Sequence, residues 1–212
     1  MLATGGVVNH TEQEPAPPDR SGRQWGRSTQ TRTAILEAAR TEFLEHGYTE
    51  AGIAHVVERS GCSVGSIYHH FGGKAELFLA LWESHQRDYA EAANQAVSEA
   101  RRGGEQDPLE LFVAGSRAYL EMAWTNHGMA RLFLAGDGPP GFDTLQRQRG
   151  RSWIRQNGAL LRAPDDPVGR VLVMVLTSIV GDGAREVSSL DSRAEAYELI
   201  EATLGFVRKV AT

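Results

Sequence analysis

Between Gly61 and Lys74 the chain gathers side chains suited to recognition rather than to covalent chemistry. Ser63, Gly65 and Ser66 are small, Tyr68-His69-His70 supply reach, and Lys74 adds a cation after the Gly72-Gly73 break. Hydroxyls and imidazoles exchange hydrogen bonds with phosphate oxygens and base edges, and a glycine lets backbone approach a partner closely. Other candidates for chemistry fit less well. His69 and His70 are helix neighbours pointing about 100° apart and cannot easily share an ion, so no metal is expected. Cys62 is the sole cysteine, which excludes an intramolecular disulfide or a cysteine cluster and reads as a buried, inert thiol. Gly136-Asp137-Gly138-Pro139-Pro140-Gly141 satisfies G-x-G-x-x-G. Its prolines stand where a helix should open with donating N–H groups, and no βαβ pattern surrounds it. A loop between helices is expected there. No nucleophile elbow, zinc-protease motif or P-loop is found, so neither an enzyme nor a cofactor is expected.

The elements that must position these residues are short helices. One begins near Ser28-Thr29, carries Ile35, Ala39 and Phe43 on a stripe beside Leu36, and stops at Gly47. A second runs from about Ile53 to Ser60, with Gly52 as an acceptable cap lacking a side-chain oxygen. Gly61 makes the turn, Ser63 caps a third helix from Val64 to about Phe71, and a fourth starts at Lys74, where Glu76 can reach back to the Gly73 N–H. Two apolar-periodic segments joined at a glycine, the second opening with small polar residues, describe a helix-turn-helix built to enter a DNA groove.

The order of Gly47-Tyr48-Thr49, Ile53 to Val57, Ser60-Gly61-Cys62-Ser63, Gly65 to Phe71 and Lys74 to Leu77 resembles the tetracycline-repressor (TetR) family of bacterial regulators. The resemblance is specific, because several residue types fall in register between Gly47 and Leu77. It implies that Ser63, Val64, Gly65, Ser66, Tyr68, His69 and Lys74 face double-stranded DNA. In that arrangement Gly65 admits close approach, Ser66 meets a base edge, and Val64 packs on a thymine methyl. Tyr68 and His69 reach phosphates and Lys74 adds charge, the alternative for Tyr68 being a core aromatic with its hydroxyl at the rim. Many relatives carry Lys or Arg where this chain has Val64, so guanine reading from that position is lost and the operator sequence stays open. His70 is expected to pack or hydrogen-bond inside.

Further helices are expected from about Pro108 to Trp124, His127 to Ala135, Thr144 to Leu161, Val168 to Ser188 and Arg193 to Val210. Convincing period-two alternation is lacking, so the fold is all-α. It would comprise a three-helix helix-turn-helix domain followed by a helical ligand-binding and dimerisation domain. The boundaries are 1–26 for a disordered, Pro- and Gly-rich tail, 27–74 for the head and 75–212 for the body. Arg20, Arg23 and Arg27 form a basic arm or simply keep the tail solvated.

The resemblance also implies a small-molecule effector in the body. Trp82, Tyr89, Phe112, Tyr119, Met122, Trp124, Phe133, Trp153 and Met174 would line a largely apolar pocket, although such residues equally describe an ordinary core. The last two helices carry surplus apolar surface, which points to a homodimer through Val173, Leu176, Val180, Leu199, Thr203, Phe206 and Val210. Two alternatives remain: the same head on a body that senses a protein partner or nothing, and a small all-helical enzyme.

Bulk properties agree. The 212 residues are 41% hydrophobic, enough to bury a core, with net charge −5. From Arg20 to Lys74 there are 7 Lys/Arg against 5 Asp/Glu, a mildly basic head on an acidic body. Residues Met1 to Asp19 lack a basic n-region and an apolar h-region. The longest apolar run, Val171 to Val180, is about half a membrane span. A cytoplasmic protein with no membrane partner is the expectation.

Overall fold

A computed structural model describes the backbone of residues 20–211 and the side chains of residues 28–211. Among these the chain forms α1 (Arg20–Glu50), α2 (Ile53–Ser60), α3 (Val64–His70), α4 (Lys74–Arg102), α5 (Pro108–Thr125), α6 (His127–Leu134), α7 (Phe142–Leu161), α8 (Pro167–Ser189) and α9 (Arg193–Ala211). The expected tail divides. Residues 1–19 lie outside the described residues, whereas 20–26 are the first turns of α1, which therefore starts before Ser28. After Pro17-Pro18 nothing in the sequence bars helical backbone, and Gly22 and Gly26 weaken a helix without breaking it. The side chains of Arg20, Arg23 and Arg27 lie outside the described residues.

Local chemistry sets the breaks. Gly47, at φ 70° and ψ −174°, interrupts α1 with a conformation that L side chains rarely adopt. Gly61 closes α2 in the left-handed region, its N–H donating to the Val57 carbonyl. Ser63 caps α3 by accepting from the Ser66 N–H. Asp107 and Asp166 cap α5 and α8 ahead of Pro108 and Pro167, each proline where its missing N–H costs nothing.

Two apolar clusters hold the helices together. The first joins Ile35, Phe43, Val56 and Ile67 of the head to Leu77, Phe78 and Trp82 of α4, Met129 and Phe133 of α6, and Phe142 of α7. Phe78 is its centre, with the rings of Phe43, Phe133 and Phe142 edge-on at 5.3, 5.3 and 5.2 Å. A division at residue 74 thus cuts through this cluster, because the head closes its core with side chains from beyond it. The second cluster packs Phe112 and Leu120 of α5 against Leu176 and Val187 of α8 and Ile200, Leu204 and Val207 of α9.

The outer face of α8 and α9 differs from the sequence expectation. Val173, Leu176, Val180 and Thr203, expected between two copies, are buried within one chain, and Leu199 is half-buried. Thr203 lies where α8 and α9 cross, so close that a Cβ on Gly183 would meet it at 2.7 Å. Phe206 (54% exposed) and Val210 stay outside, joined by Val168 (78%), Val171, Met174 and Val175. Because α8 is apolar nearly all round, its sequence could not say which apolar face meets its own chain. The 23-residue α8, with mean hydropathy 1.4 in its best window, is long and apolar enough to cross a membrane. It packs on α5, α6, α7 and α9 and carries Arg170, Asp182, Arg185 and Glu186.

Candidate nucleic-acid interface and effector cavities

In α3, residues one turn apart share a face. Ile67 is fully buried and anchors the helix, whereas Val64 (50% exposed) and Tyr68 (55%) project outward with Gly65 and His69 beside them. Arg32 of α1 sits 4.9 Å over the Phe71 ring and pins the far end. The Ser63 and Ser66 hydroxyls are 3.0 Å apart, so each is pre-engaged with the other. His70 is half-buried against His69 and Phe71. Cys62 is half-buried too, its Sγ 3.6 Å from the Ser60 carbonyl. Lys74 is less free than its sequence position suggests. Its Nζ donates to the Thr49 carbonyl at 2.8 Å and lies 4.9 Å over the Tyr48 ring, leaving ammonium protons for a further partner.

What seats α2 is a residue the sequence reading passed over. Glu42 of α1 is completely buried. Its Oε1 accepts the Gly52 N–H at 3.0 Å and faces His55 Nδ1 at 2.9 Å. The cap oxygen that Gly52 lacks is therefore supplied from another helix. Burial alone would raise the Glu42 carboxyl, but the Gly52 N–H and His55 outweigh it and hold the group below its ordinary value. The same bond raises the His55 imidazole. Glu42, His46 and His55 bring three potential metal-ligand atoms within 4.8 Å. Arg59, whose Nε lies 3.6 Å from Glu42 Oε2, already places a cation there and opposes a second. Nothing in the sequence sets Glu42 apart from an ordinary acid on a helix surface.

The Gly136 to Gly141 segment is the expected loop, and it ties body to head. Asp137 accepts from both the backbone and the hydroxyl of Thr49.

Two cavities lie in the body between α4, α5, α6, α7 and α8. The larger, of about 400 Å³, is lined by Val97, Phe112, Tyr119, Trp153, Ile154 and Val180 among others. The smaller, of about 200 Å³, is lined by Trp82, His85, Tyr89, Tyr119, Phe133, Arg149 and Trp153 among others. Of the expected pocket residues, Met122, Trp124 and Met174 line neither. Met174 is on the outer face of α8, Trp124 stacks on His127 at 5.3 Å, and Met122 packs on the second core cluster. His85, unremarked in the sequence, is buried beside Tyr89 (ring centroids 4.4 Å apart). Desolvation, then the Arg40 charge, lowers its imidazole to about 4, so it is neutral near pH 7.

Residues 35–81 match the family described as bacterial regulatory proteins, tetR family. A transcriptional repressor of Corynebacterium glutamicum, AcnR, is 43% identical over 81 residues, covering 38% of this chain and 43% of that protein. The transcriptional activator FasR of Mycolicibacterium smegmatis is 34% identical over 86 residues, covering 41% and 39%. The matched stretch thus spans less than half the length of these relatives. Among solved structures, a TetR-like transcriptional regulator from Rhodococcus superposes with a TM-score of 0.63 at 18% identity, covering 85% of this chain and 93% of that one. At that identity the likeness concerns the fold, and it extends through the body.

Proposed function

We propose, from the match of residues 35–81 to the tetR family of bacterial regulatory proteins, that the chain is a DNA-binding transcriptional repressor, active as a homodimer on a palindromic operator and released by a small, largely apolar molecule. One observation carries the reading: α3 presents Val64, Gly65, Tyr68 and His69 to solvent while Ile67 locks it to the core. An exposed face of this composition on a rigidly seated short helix suits a major groove. Ser63, Ser66 and Lys74 flank it.

The dimer reading rests on the apolar strip of Val168, Val171, Met174, Val175, Phe206 and Val210, which no element of the same chain covers among the described residues. An exposed apolar patch of this kind marks an interaction surface. Pairing through it would set two α3 helices in successive major grooves about 34–36 Å apart. The effector reading rests on the cavities against α4, whose first residue, Lys74, touches the head. Repression is favoured over activation because several of the similar regulators are named repressors, against one named an activator. A cytoplasmic location follows from the reading.

The test is a mobility-shift and footprinting assay on the intergenic DNA beside the gene, at several salt concentrations. The expected outcome is protection of an inverted repeat with strong salt dependence. Indifference to every duplex offered would overturn the reading.

A further inference from the structure

Resting on the effector-sensing reading above, we propose that the two body cavities form one continuous site for an elongated amphipathic organic anion, its acidic head in the smaller cavity and its apolar body in the larger. Three independent features point there.

The first is an unmet demand for a hydrogen-bonding partner. Tyr89, 3% exposed, has a buried hydroxyl without a hydrogen-bond partner among the described residues, and so does the indole Nε1 of Trp153. Buried polar groups are costly to leave unpaired, and such an exception calls for an occupant. The indole N–H only donates, so the occupant must accept.

The second is charge. Arg149, half-buried in the wall of the smaller cavity, lies 5.5 Å over the Trp153 ring. Its bonds go to the neutral Gln86, at 3.4 Å to the side chain and 3.3 Å to the carbonyl. Arg101 lines the larger cavity and Arg185 the smaller, the latter paired with Asp182, whereas no Asp or Glu lines either. Neutral His85 adds no negative charge. A carboxylate would meet Arg149, Tyr89 and the indole together, and a cation would meet an uncompensated guanidinium.

The third is the passage. Tyr119, Gly150, Trp153 and Gly181 line both cavities. Gly150 on α7 and Gly181 on α8 are interior helix glycines, a placement unfavourable relative to alanine. A Cβ built on either meets nothing within 4 Å, so neither is glycine for close packing. Both glycines are exposed, so the wall that the two cavities share opens toward solvent there and leaves room for one ligand to span them.

The experiment is calorimetric titration of the full-length chain with three rods differing only at the head: biphenyl carboxylate, biphenylmethanol and biphenylmethylammonium. The carboxylate should bind at least about tenfold tighter than the ammonium compound. Arg149→Gln and Tyr89→Phe should weaken the carboxylate roughly five- to tenfold each, with little change for the alcohol in the Arg149 variant. Gly181→Leu, which fills the passage from a surface-accessible helix face, should abolish binding of all three while circular dichroism stays helical. Equal or tighter binding of the ammonium rod, or an unchanged carboxylate affinity in Arg149→Gln, overturns the anion assignment and leaves effector sensing standing. Failure of all three rods to bind the unmodified chain overturns both.

Discussion

Asp137 and Thr49, 88 positions apart, are joined by three hydrogen bonds: the carboxylate accepts the Thr49 N–H at 3.0 and 3.2 Å and its hydroxyl at 2.6 Å. Lys74 completes the corner by donating to the Thr49 carbonyl. The kinked end of α1, the start of α4 and the loop between α6 and α7 therefore meet at one residue. These bonds tie the body to the head through polar groups, beside the apolar contacts made by Phe78.

Breaking that corner should loosen the head without unfolding the body. Asp137→Asn removes the charge that strengthens these bonds, and a loss of about 1 kcal/mol is expected in urea unfolding, discounted for exposure. Gly47→Ala should cost more. Its φ of 70° disfavours a side chain, and the new Cβ would fall 2.7 Å from Asp137 Oδ2. A Gly47→Ala protein as stable as the parent would remove the corner from the account.

Neighbours on α3 should behave oppositely. Ile67→Ala, in a fully buried site, should destabilise the head by about 2–5 kcal/mol. Tyr68→Ala should leave the melting temperature almost unchanged and weaken operator binding about tenfold, with a shallower salt dependence if the phenol meets phosphate. Measuring melting and DNA affinity on the same two variants separates the roles.

The outer strip of α8 and α9 predicts assembly. Phe206→Glu combined with Val171→Asp places charge on exposed apolar positions, so each monomer should keep its helicity. Sedimentation equilibrium should then show a shift from dimer to monomer, and operator affinity should fall at least roughly a hundredfold as the paired reading heads separate. Retention of the dimer would place the interface elsewhere.

Acidity should act through Glu42 and His55. The His55 imidazole is raised by its bond to Glu42, so its stabilising contribution is complete below the ordinary value of 6.5 and lost as pH rises through its higher folded value. The Glu42 carboxyl is held low, so its contribution is complete above 4.5 and lost as pH falls through its lower folded value. The pair is strongest between those ordinary values. Melting curves should show His55→Ala losing more near pH 5.5 than at pH 8. Glu42→Gln should also leave the Gly52 cap without its ionised acceptor at both pH values.

Much of the head was legible from residue types alone. Gly61, Ser63 and the Gly72-Gly73 break act within one turn of themselves, and the observed α2 and α3 follow them to within a residue. The prolines after Asp107 and Asp166 fixed α5 and α8 for the same reason. The candidate site was less legible wherever a partner came from far along the chain. Glu42 reads as an ordinary surface acid of a helix until α2 covers it. Asp137 sits inside a degenerate nucleotide-loop pattern until Thr49 arrives to use its carboxylate. Met174 looked like a cavity residue because apolarity carries no direction on a helix that is apolar on most sides.

By itself the sequence determined the helices, their stops and the helix-turn-helix order, because capping, glycine geometry and 3.6-residue periodicity operate over a few neighbouring positions. Only the tertiary structure decided which apolar stripe of α8 is core and which is free, which partners Glu42 and Asp137 meet, and that Tyr89, Arg149 and Trp153 line one cavity. Those outcomes depend on distances between segments tens of residues apart, which packing of the whole chain sets and no local pattern encodes.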